Sequence, residues 1–362
     1  MALSRRFADF SNQATRRNAI INGKMDVWQR GTSFTSIGNA RYSADRWLSG
    51  VSVTPARYTI TRSTDVPTVA QAGTLFSFAA LCTVNVVDVG VSSTDSISPL
   101  QHIVEGFNFR PIAQQPMVLS FWVKSSLVGI YCIAFRNSIL DRSYVAEYTI
   151  NLANTWEYKE IRISSSPIAG TWNYTTGIGL MISFMLMSGT AFQTTPNTWQ
   201  TGDFRITSNQ VNHTATFGNT FRLTGVQLET GNIATPIEYR TFQEEIALCQ
   251  RYFEKTYNYA DAPGTITDRG SVTSHTVETV SFTIHNNGWN FAVPKRTNPT
   301  VVVYSPSIAT PNRVKGDADG NLAVAGVSAG ESRVTAVALT APAPSSGSLQ
   351  VWTTHYTADA EL

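Results

Sequence analysis

The sequence has little charge, little lysine and few cysteines. Only 14% of its 362 residues are charged, against about a quarter in an average soluble domain, and 6 lysines stand beside 44 threonines. The 27 basic and 25 acidic residues are interspersed and nearly cancel, which disfavours a polyanionic partner such as nucleic acid. The 3 cysteines are widely separated, so we predict buried free thiols rather than a disulfide framework or a local metal site.

Long apolar runs are also missing. The most apolar stretch is residues 178–187. A helix needs roughly twenty residues to cross a bilayer, about twice the length of this stretch. We therefore expect no membrane insertion. The first 17 residues contain four arginines and no continuous apolar segment, so they do not look like a secretory signal, and we expect assembly in the cytoplasm.

Threonines and 11% aromatic residues favour strands over helices. Between residues 18 and 240, short apolar runs are separated by turn-forming residues. In residues 118–124 (VLSFWVK), the apolar residues Leu119, Phe121 and Val123 alternate with Ser120, Trp122 and Lys124. This period of two is typical of a strand. Similar runs lie at residues 75–87, 128–136, 143–152, 158–163, 179–187 and 221–228. This series predicts an all-β fold, an antiparallel jelly-roll sandwich with Trp28, Phe34 and Trp47 in its core.

The one predicted helix spans residues 242–257, where Thr241 and Glu244 have the spacing of a capping box. Strands then resume, at residues 276–285, 289–293, 300–305, 321–325, 332–339 and 350–356. They predict a second, smaller β-sandwich domain. The expected organisation is an N-terminal arm at residues 1–17, a jelly roll at 18–240, a connecting helix at 241–260 and a C-terminal β domain at 261–362.

No local catalytic signature is present. Cleavage of a glycosidic bond needs two carboxylates at a fixed separation, and no motif pairs the candidate acids Glu105, Asp141, Glu147, Glu157 and Glu160. The 5 histidines are scattered. We therefore predict that the protein is not an enzyme, with a catalytic site assembled from distant segments as the alternative.

Five segments carry a family resemblance. They are residues 18–34 (NAIINGKMDVWQRGTSF), 42–47 (YSADRW), 225–240 (GVQLETGNIATPIEYR), 244–257 (EEIALCQRYFEKTY) and 356–362 (YTADAEL). In this order and spacing they resemble a family of tailed-bacteriophage virion proteins, tail and head fibres or spikes among them, whose central domain is similar to a carbohydrate-binding-module jelly roll. The chain departs from the family at Ile237, where the family usually has Phe; the residue stays apolar.

The resemblance implies a structural fibre or spike of the virion, located at head, neck or tail, that contacts host-surface glycans for adsorption. It implies a homotrimer, for which an apolar helix stripe would form the interface: Ile246, Cys249, Phe253 and Tyr257. The basic and aromatic arm would anchor the chain to other virion proteins through Arg5, Arg6, Phe7 and Phe10. A structural calcium ion shared by Asn22, Asp26 and Glu229 is also implied. The alternatives are a polysaccharide depolymerase and a purely architectural head or tail component.

Glycan binding needs an aromatic face for the sugar ring and polar groups for its hydroxyls. Trp122 is the best candidate, because it shares with Lys124 the strand face opposite to the apolar one. Four aromatic residues on the next two strands share a face and could extend this platform: Tyr131, Phe135, Tyr144 and Tyr148. The competing interpretation is that these rings cover one face of the sandwich or pack against a neighbouring subunit.

Overall fold

The computed structural model describes residues 17–53, 55–276, 282–284, 290–316, 320–323, 326–328, 338–341 and 350–362. Throughout these residues the named strands pair in antiparallel sheets, which confirms the all-β prediction. The described chain forms two compact units. The first holds the residues up to Asp26 and those from Thr32 to Thr241, and the second holds Val27–Gly31 and those from Phe242 to Leu362. No helix in the described ranges is long and apolar enough to span a membrane.

The first unit is built from two sheets. Its strands are β1 (Ser33–Phe34), β2 (Arg41–Tyr42), β3 (Trp47–Val51), β4 (Tyr58–Ser63), β5 (Ala79–Val84), β6 (Ser96–Glu105), β7 (Met117–Ser125), β8 (Gly129–Arg136), β9 (Arg142–Ile150), β10 (Glu157–Ile163), β11 (Ile178–Met185), β12 (Met187–Ser188), β13 (Trp199–Thr201) and β14 (Thr220–Thr230). Two short helices, α1 (Val69–Ala72) and α2 (Gly106–Phe109), and two 3-10 turns (Thr190–Phe192 and His213–Ala215) connect them. The six-stranded sheet has the order β1-β4-β5-β14-β7-β10. The eight-stranded sheet has the order β13-β9-β8-β11-β6-β3-β2, with β12 also paired to β6.

Aromatic rings from the two sheets meet in the core of this unit. Phe121 of β7 lies 5.2 Å from Tyr148 of β9 and 5.2 Å from Phe184 of β11, measured between ring centroids, and both pairs are nearly perpendicular. Tyr131 of β8 lies 6.0 Å from Phe221 of β14. Such edge-to-face contacts add to the burial of the rings. The two sheets therefore pack face to face as a sandwich, as the sequence predicted.

The seven runs predicted as strands in this unit all fall on strands, namely β5, β7, β8, β9, β10, β11 and β14. Strand β6 was not predicted. All ten of its residues are buried, including the polar Gln101 and His102. The predicted core residue Trp47 is fully buried here, and Phe34 is half-buried. The cysteines are free and buried, as predicted.

The second unit is organised around one long strand. Its elements are α3 (Phe242–Gln250), β15 (Phe253–Lys255), β16 (Val272–Thr276), β17 (Phe282–Ile284), β18 (Thr300–Tyr304), β19 (Arg313–Gly316), β20 (Gly320–Ala323), β21 (Gly326–Ser328), β22 (Ala338–Ala341) and β23 (Gln350–Asp359). Strand β23 pairs with β15, β16, β18 and β19, and β19 pairs with β20. The strands β17, β22 and β21 form a separate three-stranded sheet. The segment 289–293, predicted as a strand, contributes only an isolated bridge residue at position 290 among its described residues.

The helix is shorter than predicted. It ends at Gln250, because the following residues bend at Tyr252 and then pair as β15 with β23, in the register Phe253 to Asp359. Long-range strand pairing therefore overrides the local helical pattern. The predicted oligomer stripe of Ile246, Cys249, Phe253 and Tyr257 is not one helical face. Its last three members are buried in the single chain, with Tyr257 stacked 3.7 Å from the His355 ring.

Trp28 is also a core residue, but of the second unit. The short segment Val27–Gly31 is inserted there: the Trp28 backbone N–H donates to the Tyr259 hydroxyl at 2.9 Å, and the Gln29 side-chain amide donates to the Phe253 carbonyl oxygen at 2.9 Å. The guanidinium of Arg30 lies 3.6 Å above the Phe253 ring. The prediction that Trp28 belongs to the jelly-roll core was therefore wrong.

Candidate functional site

A groove of about 370 Å³ lies on the outer face of the six-stranded sheet. Strands β7, β10 and β14 form its floor, helix α1 and the segment after it form one wall, and a loop after β14 forms the other. The lining residues are Gln71, Ala72, Phe76, Ser120, Trp122, Tyr158, Gly225, Ala234, Thr235, Pro236 and Ile237.

Two rings on neighbouring strands form the aromatic part of the floor. Trp122 of β7 and Tyr158 of β10 are directly opposite in the strand register, and their ring centroids are 5.4 Å apart with the planes inclined by 48°. Trp122 is half-buried and Tyr158 is 41% exposed, so both rings remain accessible. This confirms that Trp122 faces away from the core. Burial raises the pKa of Tyr158, and a hydrogen bond with Ser120 opposes that rise, so Tyr158 is a neutral phenol at physiological pH.

Gly225 allows the Phe76 and Trp122 rings to lie close to the backbone of β14. It lies at a bulge in the pairing of β14 with β7, between Thr224 and Gln227, and has a φ of 63°. A Cβ atom at this position would lie 2.9 Å from Cζ of Phe76 and 3.2 Å from Cδ1 of Trp122. Only glycine meets both the left-handed backbone and the close approach of the two rings without strain.

Two buried side chains hold the loop that forms the second wall. The Glu229 carboxylate accepts hydrogen bonds from the Thr235 backbone N–H at 2.8 Å and the Thr235 hydroxyl at 2.7 Å. Gln227 donates to Glu229 at 2.9 Å and accepts from the Glu238 backbone N–H at 2.7 Å. Both side chains are at least nine-tenths buried. The shape of the groove therefore depends on hydrogen bonds beneath its wall.

The other wall presents a polar donor. Gln71 of α1 closes a capping box with Thr68: its side-chain oxygen accepts from the Thr68 N–H at 3.0 Å, and its own N–H donates to the Thr68 hydroxyl at 3.3 Å. This orients the amide. Within the described chain its amide nitrogen has no hydrogen-bond partner, so it is available at the groove.

The predicted calcium site is not supported by these contacts. The Glu229 carboxylate accepts hydrogen bonds from Thr235 of the loop. The Asn22 side chain donates to the Asp45 carbonyl oxygen at 2.9 Å, and the Asp26 carboxylate lies 3.9 Å from the Lys24 ammonium. In the described ranges no group of three or more histidine, cysteine, aspartate or glutamate side chains could hold a metal ion. A cation shared by Asn22, Asp26 and Glu229 therefore stays a prediction, and the hydrogen bonds of Glu229 give that residue a different role in the groove wall.

Lys124 shares the outward face of β7 but does not line the groove. Its ammonium lies 2.8 Å from the Asp65 carboxylate, which also accepts from the Trp156 indole at 3.0 Å and lies 3.2 Å from Nε of Arg222. Burial alone would raise the pKa of Asp65, but the bonds from Lys124 and Trp156 outweigh it and lower that pKa. Lys124 therefore belongs to an ion-pair network beside the groove.

The four other predicted glycan residues are buried. Tyr131 pairs across the strands with Tyr148, and Phe135 with Tyr144, so the prediction of a shared face is confirmed. All four are at most 5% exposed. They lie in the eight-stranded sheet, and the face they share packs inward against the six-stranded sheet. The competing interpretation, in which these rings cover one face of the sandwich, is therefore correct.

The groove residues that the sequence did not indicate come from distant segments. Tyr158 lies in a correctly predicted strand. It is three residues before the buried Ile161, so the period of two places it on the opposite, outward face. The sequence contains no such signal for Phe76, Gln71 and the loop 234–237. They lie outside the strands, so no periodic pattern indicates which way their side chains point. The arm residues Arg5, Arg6, Phe7 and Phe10 lie outside the described residues.

No protein-family model matches this chain, and no curated protein matches it. Among solved structures, it is similar to the enzymatically active domain of tailspike protein 4 of bacteriophage CBA120, with 14% identity and a TM-score of 0.32, over 59% of this chain and 21% of that one. The match thus spans about a fifth of that tailspike chain. A CBM4 structure matches 58% of this chain and 98% of its own (13% identity, TM-score 0.30), and TmCBM61 in complex with β-1,4-galactotriose matches 60% and 100% (12% identity, TM-score 0.29).

Replacing Glu229 with Ala should open the groove without unfolding the sandwich. The substitution removes the acceptor of both Thr235 bonds and leaves Gln227 with one partner fewer, which costs about 1 to 3 kcal/mol of stability. Amide hydrogen exchange should rise in the loop 231–238 and stay unchanged in β11. Glu229→Gln, which keeps one acceptor, should give a smaller increase. Unchanged exchange in the alanine variant would contradict the role of Glu229 in holding this wall.

Proposed function

We propose that this protein is a non-enzymatic fibre or spike component of a bacteriophage particle and that its aromatic groove binds host-surface glycan. The observation that carries the proposal is the pair Trp122 and Tyr158, accessible on the floor of a groove with a free amide donor at its wall. Aromatic faces provide flat apolar area for the C–H face of a sugar ring, and amide groups bond its hydroxyls. The chemistry of the groove suits a neutral sugar ring.

The composition of the groove supports binding without catalysis. Glycoside hydrolysis canonically uses two carboxyl groups about 5 to 9.5 Å apart on either side of the scissile bond. None of the described residues that line this groove is an aspartate or a glutamate. The buried Glu229, beneath the wall, uses its carboxylate in the hydrogen bonds that hold the wall.

The phage assignment rests on the five sequence segments, and two of them build the groove. Residues 225–240 supply the bulge at Gly225 and the loop 234–237. Residues 18–34 hold this segment: the Asn18 side-chain oxygen accepts from the Leu228 N–H at 3.0 Å, and Arg240 donates to the Ile20 carbonyl oxygen at 2.9 Å. Two of the five segments that carry the resemblance therefore help to position the proposed site.

Trp122→Ala should weaken glycan binding about tenfold per site, since loss of a stacking ring removes on the order of 1 kcal/mol or more. The melting temperature should change little, because the ring is half-buried on the outer face. Trp122→Phe, which keeps an aromatic face, should retain most of the affinity. A glycan array followed by calorimetry on the best ligand measures this. Unaltered affinity of Trp122→Ala, or steady release of new reducing ends from host polysaccharide, would contradict the proposal.

Several copies on one particle would strengthen weak single-site binding, since linked sites raise the effective concentration of the second contact. We propose a homotrimer that is assembled in the host cytoplasm and anchored to the virion through the N-terminal arm. Deleting residues 2–17 should leave a protein with the mass of three chains in light scattering that no longer joins the particle. A mass of one chain for the full-length protein, or normal incorporation of the truncated one, would contradict this part of the proposal.

A further inference from the structure

A second groove, of about 410 Å³, lies on the outer face of the eight-stranded sheet of the same unit. Its lining includes Asn39, Leu48, Gln101, Arg136, Met181 and Arg205. The strand register places Met181 of β11 beside Arg136 of β8, and Gln101 of β6 beside Leu48 of β3. This groove contains no aromatic ring among its described lining residues, in contrast to the groove around Trp122. Its ligand must therefore be recognised mainly through polar groups.

The two side-chain amides of this groove, Asn39 and Gln101, present donors to it. The Gln101 side-chain oxygen accepts from the Arg136 guanidinium at 3.3 Å and from the Ser183 hydroxyl at 3.0 Å. The Asn39 side-chain oxygen accepts from the Val51 N–H at 3.0 Å. These bonds fix the orientation of both amides, and within the described chain neither amide nitrogen has a partner. Nε of Arg136 is also without a hydrogen-bond partner, but it is buried, so Arg136 contributes its charge to the groove and not an exposed donor.

The charge of the groove is positive. Asp203 is a single carboxylate shared by two guanidinium groups, with Arg136 at 2.9 Å and Arg205 at 2.6 Å. The three groups together carry one net positive charge. Donor groups without acceptors, next to an excess guanidinium charge, favour an oxyanion over a neutral hydroxyl, because charge-assisted hydrogen bonds are about twice as strong as neutral ones.

Gly50 lies at the edge of the groove, close to the Gln101 amide. A Cβ atom on Gly50 of β3 would lie 2.9 Å from the Gln101 side-chain oxygen, so a larger residue would press on the amide. Leu48 and Met181 are 6% and 7% exposed and present a small apolar area beside the donors, which the C–H groups of a sugar ring can contact. The groove thus combines an anion-binding group with apolar surface.

We infer that this second groove binds the carboxylate of an acidic saccharide, independently of the aromatic groove around Trp122. A planar carboxylate has two oxygens that can accept from the amide nitrogens of Asn39 and Gln101, and the excess positive charge of Arg136 and Arg205 attracts it. The sugar ring then rests on Leu48 and Met181. The inference extends the proposed glycan binding to a second site and to acidic sugars, but it does not depend on the first groove being occupied.

Calorimetry of the full chain with an oligogalacturonate and with its methyl ester tests the inference. The acid should bind at least about tenfold more tightly than the uncharged ester, since a hydrogen bond to a charged group is worth more than one decade in affinity. Rising salt should weaken binding of the acid. Equal affinity for the two forms would overturn the proposal, and so would tighter binding of a sulfated oligosaccharide of the same length, which would assign the groove to sulfate esters.

Two nearly isosteric variants locate the site. In Gln101→Glu and Asn39→Asp the oxygen that binds the chain is kept and the free amide nitrogen is replaced by a charged oxygen. Each should weaken binding of the acid about tenfold or more, while Asn197→Asp, the same change at an exposed position outside the groove, should leave it unchanged. Trp122→Ala should also leave it unchanged. Loss of acid binding in Trp122→Ala, or normal binding in both groove variants, would overturn the assignment. Neither result would decide whether the aromatic groove binds a neutral glycan, which the glycan array tests separately.

Discussion

Phe121→Ala should lower the free energy of unfolding by about 3 to 5 kcal/mol, the usual cost of truncating a large buried ring. Phe121 is fully buried, and its ring meets Tyr148 and Phe184 of the opposite sheet edge-on, each at 5.2 Å. The substitution would leave a cavity between the two sheets that rigid neighbouring strands cannot fill. Chemical denaturation followed by tryptophan fluorescence measures the loss.

The matched control for this substitution is the next residue along the strand. Trp122→Ala removes a larger side chain from the outer face of β7, where the ring is half-buried in a groove. We expect a clearly smaller loss of stability from Trp122→Ala than from Phe121→Ala, and a loss of glycan binding only from Trp122→Ala. Equal destabilisation by the two substitutions would mean that Trp122 is a packing residue.

The protein should lose stability as the pH falls from about 6.5 towards 4. His213 is buried between the Tyr58 hydroxyl at 2.9 Å and the Thr220 carbonyl oxygen at 3.3 Å, and burial lowers its pKa to about 4. Burial and the charge of Arg46 also lower the pKa of His102 well below its usual value. In the unfolded chain both imidazoles take up a proton near pH 6.5. The unfolded state then binds more protons than the folded state, so acid favours unfolding.

The size of this effect follows from the depressed pKa of His213. A shift from the usual 6.5 to about 4 corresponds to roughly 3 kcal/mol of stability, present above pH 6.5 and lost on acidification through the window down to pH 4. Urea denaturation at pH 7.5, 6.5, 5.5 and 4.5 gives the slope. His213→Gln should make the slope shallower, because one of the buried histidines with a lowered pKa is removed. Equal stability at pH 7.5 and pH 5 would contradict neutral buried histidines.

The strands of the six-stranded sheet were predictable where one face is buried and the other is not. Leu119, Phe121 and Val123 are fully buried while Trp122 and Lys124 are half-buried, so the alternation was visible in the residues themselves. Strand β6 shows the opposite case. Both of its faces are buried, where the Gln101 side-chain oxygen accepts from Ser183 of β11 and Nε2 of His102 bonds the backbone of Ile21. Polar residues in buried positions remove the alternation, so this strand could not be recognised.

The end of the helix illustrates the same limit. The spacing of Ile246, Cys249 and Phe253 fits a helix, and nothing local in the sequence marks its end at Gln250. The backbone of Phe253 instead pairs with Asp359, more than a hundred residues away. A residue pattern reports local preference, and it contains no information about a partner strand from the other end of the chain.

The sequence by itself determined the β class, the positions of seven of the fourteen strands of the first unit, the free buried thiols and the outward direction of Trp122. Each of these follows from composition or from the period of two along a single strand. Only the tertiary structure decided that Tyr158, Phe76 and the loop 234–237 surround Trp122, and that the face shared by Tyr131 and Tyr148 lies inside the sandwich. The physical reason is that periodicity fixes which side chains share a face, whereas the pairing of distant strands and sheets fixes what covers that face.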